Sequence, residues 1–553
     1  MSSLNEATLI QAGLQAGLFD NAALARLRPV ARARRQNLLT TLATDLALPQ
    51  AAFYLALSEL RGLPYARLSE WPVDEHLLAR LPATLLKRHP MAAVRSPDGL
   101  PHLAVANPDD ALGVETARRV VGALPLAVAE PEALTSLLYR LRGPEAVVAG
   151  EVEDPVQIFE RIAQEALLRR ASDIHIESIE VGAQVRLRVD GRLEIIGAPL
   201  AKHLGDALIS RIKVLSGMDI AEVRAPQDGG LIYTPGGNAE NAAIEMRVAS
   251  APVKFGERVT LRVMKSDPNR QKLDSLGLPP SMAARFREAL GHPHGIVLVT
   301  GPTGSGKSTT LYCALRELDA EHLNILTAED PIEQVIPGVS QVQVGSKVDF
   351  AGALRSFLRH DPDVILVGEI RDLDTADVAL KAATTGHMVL STLHTNSAPG
   401  AVTRLSDIGC ERFMLGATLR GILAQRLVRM LCPRCRRQRE ASATEKRLLR
   451  VEETDAPLTL WDPVGCPHCL GSGYRGRIGL YEALWVDAPL AAAISAGADE
   501  REIAAAATDY WRLADDAREK TLAGLASLAD VRFFLEGEQE SGIRHQASGK
   551  VAP

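Results

Sequence analysis

Nine residues, Gly301-Pro-Thr-Gly-Ser-Gly-Lys-Ser-Thr309, have the types and spacing of a loop that holds phosphate. Glycines let backbone amides curl around phosphate oxygens with no Cβ in the way. Lys307 has the reach to meet β- and γ-phosphates, and the Ser308 hydroxyl suits Mg²⁺. Gly301, Pro302, Thr303, Gly304, Ser305, Gly306 and Thr309 complete the cradle. The flanks agree: Gly295-Ile-Val-Leu-Val-Thr300 has strand character, and Thr310 to Leu318 reads as a helix. The loop therefore falls where a strand meets a helix N-terminus. The expected ligand is ATP or a similar nucleotide with Mg²⁺.

Three later segments end or flank apolar runs with polar groups: Asn324 to Glu333, Asp361 to Asp372, and Thr385 to Asn396. Ligands of open parallel sheets bind outside the carboxyl ends of strands. Glu329, Glu369 and His394 are therefore expected in one crevice beside the phosphate loop, with His387 just before the last strand. Hydrolysis needs one carboxylate for the water, one for the Mg²⁺ shell and a polar sensor of the γ-phosphate. Taken singly, each such residue reads as an ordinary strand end. Their joint occurrence with the loop points to chemistry.

Cys432-Pro-Arg-Cys435 and Cys466-Pro-His-Cys469 have the two-residue spacers of a zinc knuckle. Four thiolates complete a tetrahedral Zn²⁺ shell, which marks a structural site rather than a catalytic one. A single pair could be a redox dithiol; two at this spacing favour zinc. His468 reads as a bystander, and Cys313 and Cys410 as buried apolar residues. Gly471-Ser-Gly-Tyr-Arg-Gly476 matches a dinucleotide fingerprint literally, but it follows the knuckle rather than a strand.

At 553 residues the chain is too long for one core, and three or four domains are expected. Hydrophobic residues at 46% and charged residues at 24% exclude a disordered chain. A net charge of −6 gives no global attraction to nucleic acid or anionic membrane. No secretory signal is expected at the N-terminus, and no apolar run is long enough to span a bilayer. Arg426, Arg429, Arg434, Arg436, Arg437 and Arg439 cluster locally. They read as a solvated or inter-subunit face, or functionally as a contact for anionic lipid or an acidic partner. Gln184-Val-Arg-Leu-Arg-Val-Asp190 puts Arg186 and Arg188 on one face of a strand. Prolines, glycines and acids from Arg142 to Pro155 read as a linker.

The four ordered nucleotide motifs resemble the phosphate-loop, aspartate-box, Walker-B and histidine-box motifs of the secretion ATPase superfamily. The resemblance spans roughly residues 150 to 485 and is to the assembly-motor branch behind type II secretion and type IV pilus extension. Asp173-Ile-His-Ile-Glu177, Val185 to Gly191 and Ala225-Pro-Gln-Asp-Gly229 resemble that family's segment before the motor domain. It implies an α/β, RecA-like P-loop motor domain at 275–431, preceded by an α+β (PAS-like) domain at 156–268. Before these come a mainly helical N-terminal docking domain at 1–140 and the linker at 141–155. A small zinc-binding insert at 432–476 and a C-terminal helical region at 477–553 follow.

The resemblance further implies Glu329 as general base, Glu369 as Walker-B carboxylate, and His387 with His394 as the histidine-box pair. It implies a homohexamer with ATP buried between subunits and arginines of the preceding domain reaching the phosphates. Arg188 and Arg211 are the candidates, with Arg186 and Arg247 in reserve. The implied setting is cytoplasmic, on the inner face of the inner membrane, with residues such as Phe53 to Tyr65 docking on a membrane platform. Domain motion would hinge near Asp267-Pro-Asn269. Pseudopilus assembly for type II secretion is the expected work, with pilus extension as the alternative. The tetracysteine insert, generally absent from retraction motors, favours an extension-type machine.

Two other classes remain. A nucleic-acid translocase would use the arginines and the knuckle, but aromatic residues at 4% leave few stacking platforms, so no nucleic acid is expected. A non-catalytic nucleotide-binding scaffold is disfavoured by intact Lys307, Ser308, Glu329 and Glu369.

Overall fold

The computed structural model describes residues 6–34, 36–68, 70–142, 154–234, 243–264, 272–451 and 457–540. Residues 143–153 of the expected 141–155 linker, and Asp267-Pro-Asn269, lie outside the described residues. The chain forms two compact units. The first joins Met1–Lys265 with Cys432–Cys435 and Val464–Gly473, and the second holds Ser266–Leu431, Arg436–Pro463 and Tyr474–Pro553.

The first unit opens with helices Glu6–Gln15, Asn21–Arg34, Leu38–Asp45 and Gln50–Arg61. The last ends on Gly62, whose φ of 62° suits a left-handed cap. A small sheet follows, of β1 (Met91–Arg95), β2 (Pro101–Val105) and β3 (Leu126–Val128), in that order. The mainly helical reading of this region holds, but the sheet was not expected. Met91-Ala-Ala-Val has helical propensity, yet all four residues are buried, so tertiary packing decides.

A six-stranded antiparallel sheet comes next. It contains β4 (Asp173–Ile179), β5 (Gly182–Val189), β6 (Arg192–Leu200), β7 (Gln227–Tyr233), β8 (Ile244–Val253) and β9 (Gly256–Met264), ordered β6-β5-β4-β9-β8-β7. One face supplies Ile174, Ile176, Val185, Leu187, Val259 and Leu261 to a core shared with helices Pro155–Leu168 and Lys202–Leu215. The first of these helices begins on Asp154, which accepts from the Val156 amide, with Pro155 next. The alternation leaves the opposite face mainly to polar residues, with Leu193, Ile195 and Ile232 exposed among them.

The second unit is built on β10 (Gly295–Thr300), β11 (Ile325–Glu329), β12 (Ser340–Gln343), β13 (Val364–Val367), β14 (Met388–Leu393) and β15 (Leu419–Leu431). A hairpin, β16 (Arg437–Glu440) with β17 (Thr459–Asp462), precedes β18 (Tyr474–Trp485) and β19 (Tyr510–Trp511). The large sheet runs β12-β11-β13-β14-β10-β15-β18-β19. Its first six strands are parallel, and β18 and β19 are antiparallel additions. Along β10, Ile296 and Leu298 enter one apolar cluster while Val297 and Val299 enter another. A strand buried on both faces reads as an unbroken apolar run, as this one does.

Residues from 477 were expected to be helical, yet β18 occupies the start of that stretch. Its Gly479-Leu-Tyr-Glu-Ala-Leu-Trp485 run pairs with β15 before the helices begin. The 432–476 insert is likewise divided, because its cysteine-bearing ends belong to the first unit and its hairpin to the second.

Candidate nucleotide site and cysteine cluster

The phosphate loop leaves β10 at Thr300 and enters the helix Lys307–Glu317. Gly301, Gly304 and Gly306 have φ of 147°, 78° and 93°, a region that L side chains avoid. A Cβ on Gly301 would lie 2.5 Å from the Gln425 carbonyl oxygen, so sterics exclude a side chain there too. Pro302, Thr303, Gly304, Ser308 and Thr309 are exposed, whereas Ser305 and Lys307 are buried. Lys307 Nζ donates to the carbonyls of Gly301 and Pro302 at 2.9 and 3.3 Å. Burial pushes its pKa down; Glu369 opposes this, and Arg426 adds to it. A buried ammonium beside a guanidinium is an electrostatic environment completed by an anion. The residues present therefore fit a nucleotide phosphate, and Ser308 lies exposed in the first turn of the helix that follows the loop.

Glu329 ends β11 and is buried. Three donors hold it: Tyr312 Oη, Thr327 Oγ1 at 2.5 Å and Gln341 Nε2 at 2.9 Å. Tyr312 lies on the phosphate-loop helix and accepts from the Glu333 amide at 2.9 Å, so one hydroxyl joins that helix to the aspartate box. Burial raises the Tyr312 pKa further above its ordinary range, and the bond to Glu329 adds to this. Glu369 follows β13. It contacts Arg371, and its Oε2 lies 3.4 Å from His394 Nε2 without a hydrogen-bond partner of its own. The Thr392 and Ser391 hydroxyls bond the carbonyls of Gly368 and Val367, fixing the β13 and β14 ends side by side. Thr395 ties the turn after His394 to Thr300, at the root of the phosphate loop.

The structure thus brings Lys307, Glu369 and His394 together at the carboxyl edge of the sheet, with Glu329 just inside it. It does not bring His387 there. His387 precedes β14, its carbonyl pairs with the Gly295 amide at the start of β10, and its Nδ1 contacts the Ala382 carbonyl at 2.9 Å. The two histidines are seven residues apart across the six-residue strand, roughly 23 Å at 3.3 Å per residue. Strand polarity therefore puts the pair at opposite edges.

The six-stranded sheet's polar face carries the expected arginines. Arg188, Asp173, Arg262 and Arg247 form one cross-strand row over β5, β4, β9 and β8. Asp173 lies 3.2 Å from Arg262 and 3.7 Å from Arg188, and Glu177 holds Arg186 at 2.5 Å and Arg258 at 2.9 Å. Arg211 is elsewhere, on the helix Lys202–Leu215, with its Nε buried and unbonded. Sequence reasoning missed Arg258 and Arg262. The signal was present, because Gly256-Glu-Arg-Val-Thr-Leu-Arg-Val repeats the alternation of β5.

The six-arginine cluster does not form one free cationic face. Arg426 donates to Gln425 and Asn396 beside the phosphate loop. Arg429 pairs with Asp530 and stacks on Tyr474, Arg436 stacks on Trp461, and Arg439 pairs with Glu445 and Asp462. Arg434 meets His468. An anionic lipid surface would have to displace these partners.

The Sγ atoms of Cys432, Cys435, Cys466 and Cys469 all lie within 4.8 Å of one another. Cys432–Cys466, Cys435–Cys469 and Cys466–Cys469 are 3.9, 3.7 and 3.7 Å apart. Zn–S bonds of about 2.3 Å in a tetrahedron require edges of about 3.8 Å, so the cluster fits zinc. A disulfide, at about 2.05 Å, does not describe it. Amides of Gly465, Cys466 and Gly473 point at the sulfurs at 3.2–3.3 Å, a second shell that stabilises thiolates. The turn Pro467–Cys469 rests on helix Gln50–Arg61 of the same unit, and Arg67 donates to the Leu470 carbonyl. Cys313 and Cys410 are buried singly, and burial pushes both thiols up to about 11.

A parallel sheet with a phosphate loop after its central strand and acids at neighbouring strand ends defines a RecA-type ATPase. Residues 150–533 match the family described as Type II/IV secretion system protein, and residues 61–148 match the MshEN domain. The chain belongs to the type II/IV secretion system protein family. It is similar to type II secretion system protein E of Klebsiella pneumoniae, at 47% identity over 407 residues, covering 73% of this chain and 80% of that protein. Type II secretion system ATPase E of Vibrio cholerae is 46% identical over 409 residues, with the same coverage. Among solved structures, the Legionella pneumophila ATPase DotB aligns over 70% of this chain and 98% of its own, with TM-score 0.54 and 25% identity. The activity is that of a secretion ATPase, hydrolysis of ATP to ADP and phosphate coupled to protein secretion. Among the described residues, no helix is long and apolar enough to cross a membrane.

Proposed function

We propose that this chain is the motor of a type II secretion machine, working as a homohexamer at the cytoplasmic face of the inner membrane. Its relatives carry type II names, which favours pseudopilus assembly over pilus extension. The observation that carries the reading is Lys307 at the phosphate loop with Glu369 and His394 at the neighbouring strand ends.

Backbone amides of the loop and Lys307 hold the phosphates, and Ser308 with Glu369 serves the Mg²⁺ shell, whose charge would help neutralise the triphosphate. His394, 3.4 Å from Glu369, senses the γ-phosphate. Glu329 orients the attacking water. As built it is a held carboxylate, so to act it exchanges one of its three donors for that water. His387, at the far edge of the sheet, takes no part in this subunit's crevice. The arginine face serves a neighbouring subunit's nucleotide, with Arg188, Arg258 and Arg262 reaching outward and Arg211 a further candidate. The four cysteines hold a structural zinc that pins the knuckle against the N-terminal helices. That N-terminal region docks on the membrane platform, and the Arg67 bond to the Leu470 carbonyl ties it to the knuckle.

The test is ATP turnover by Glu329→Gln and Glu369→Gln in assembled protein. Both should lose at least about 10²-fold in kcat. Normal turnover by Glu329→Gln would remove it from the role of base, and normal turnover by both would overturn the site.

A further inference from the structure

A phosphate loop that turns its amides inward must turn carbonyls outward, and buried carbonyls need donors. Here the donor to the loop's crown comes from another strand. Gln425 on β15 is fully buried, at 1% exposure. Its Nε2 donates to the Ser305 carbonyl at 2.7 Å, and its Oε1 accepts from Thr310 Oγ1 at 2.9 Å. One amide therefore pins the crown of the loop to the first turn of the helix that follows it. The amide's orientation is fixed, because only its NH₂ end can serve a carbonyl and only its oxygen remains for Thr310.

The fit is also steric. A Cβ on Gly301 would meet the Gln425 carbonyl oxygen at 2.5 Å, and one on Gly306 would meet Gln425 Nε2 at 3.0 Å. Two of the loop's glycines are thus backed by this one residue. The glycines give the loop freedom to curl, and Gln425 selects which curl it adopts.

We propose that Gln425 is a positioning residue of the nucleotide site, acting through Ser305 and Thr310 to preorganise the loop for phosphate. It touches no phosphate itself. The inference rests on the loop being the ATP site, and the experiment separates the two claims. Full-length Gln425→Met keeps the volume and loses both bonds, Gln425→Glu turns an acceptor onto the Ser305 carbonyl, and Thr310→Val removes one bond only. Each is measured for ATP KM and kcat, for affinity toward a fluorescent ADP, and for thermal midpoint, with Lys307→Ala as control.

Gln425→Met should raise KM and weaken ADP binding about tenfold, Gln425→Glu by more, and Thr310→Val by less, with kcat changed less than KM. KM and ADP affinity within twofold of the parent in Gln425→Met would overturn the proposal, as would loss of kcat with KM unmoved. Should Gln425→Met fail to fold, Thr310→Val decides: a weakened ADP affinity at unchanged thermal midpoint supports the proposal and an unchanged affinity overturns it. Lys307→Ala that still binds ADP normally would instead overturn the ATP-site reading itself.

Discussion

The molecule carries two sheets that handle charge in opposite ways. In strands β10, β11, β13 and β14 of the parallel sheet both faces are buried and mainly apolar, and the charged groups sit at or just beyond the strand ends, where backbone geometry fixes them. In the antiparallel sheet β4–β9 the middle of one face carries a group of arginines, which outnumber the acids bonded to them and keep substantial exposure: 66% for the Arg262 side chain and 40% for Arg258. The first design binds a ligand within one crevice. The second presents an adjustable cationic surface and suits a charge that arrives from outside the unit.

Removing Lys307 is the most severe way to break this comparison. Lys307→Ala should lower kcat by about 10²–10³-fold or more, read as phosphate release under saturating ATP. On the arginine sheet, Arg262→Ala should cost about 10–10²-fold in specific activity at high protein concentration, because a trans arginine stabilises transition-state charge. Arg186→Ala should cost less, since Glu177 already holds that guanidinium through both oxygens. Equal losses from the two would remove the distinction. A specific activity independent of protein concentration would argue against any role in trans.

Much of the crevice was legible because its chemistry is local. Glycines at 301, 304 and 306, an apolar run before them and acids at strand ends are short-range signals that survive in any context. The outer strands and Gln425 were not. Gln425 sits in Ile422-Leu-Ala-Gln-Arg-Leu and reads as strand filler; its partners lie 115 and 120 residues away. The separation of His387 from His394 follows from strand polarity, which a motif does not display. The β1–β3 sheet escaped because alanine speaks for a helix while burial speaks for a strand.

Two smaller effects sharpen the comparison further. Cys466→Ser should abolish a zinc content of one per chain, measured by elemental mass spectrometry, and lower the thermal midpoint by about 5–10 °C. On the arginine sheet, His175 is buried beside Arg258, Arg188, Asp173 and Glu177, and burial first, then Arg258, lowers its pKa from 6.5. The unfolded chain therefore binds the proton more readily, so this contribution to stability is present above 6.5 and fades as pH falls through and below it. Denaturant unfolding from pH 7.5 to 5.5 should show that slope in the parent, and His175→Gln should flatten it slightly. An unchanged slope would remove His175 as its source.

The knuckle's return to the first unit has a consequence for biosynthesis. Residues up to 265 leave the ribosome long before Val464–Gly473, which complete the same unit. At about 5–20 residues per second the interval is roughly 10–40 s, during which the knuckle-facing side of helix Gln50–Arg61 lacks its cover. A nascent chain stalled before residue 464 should therefore be the stage most dependent on chaperones.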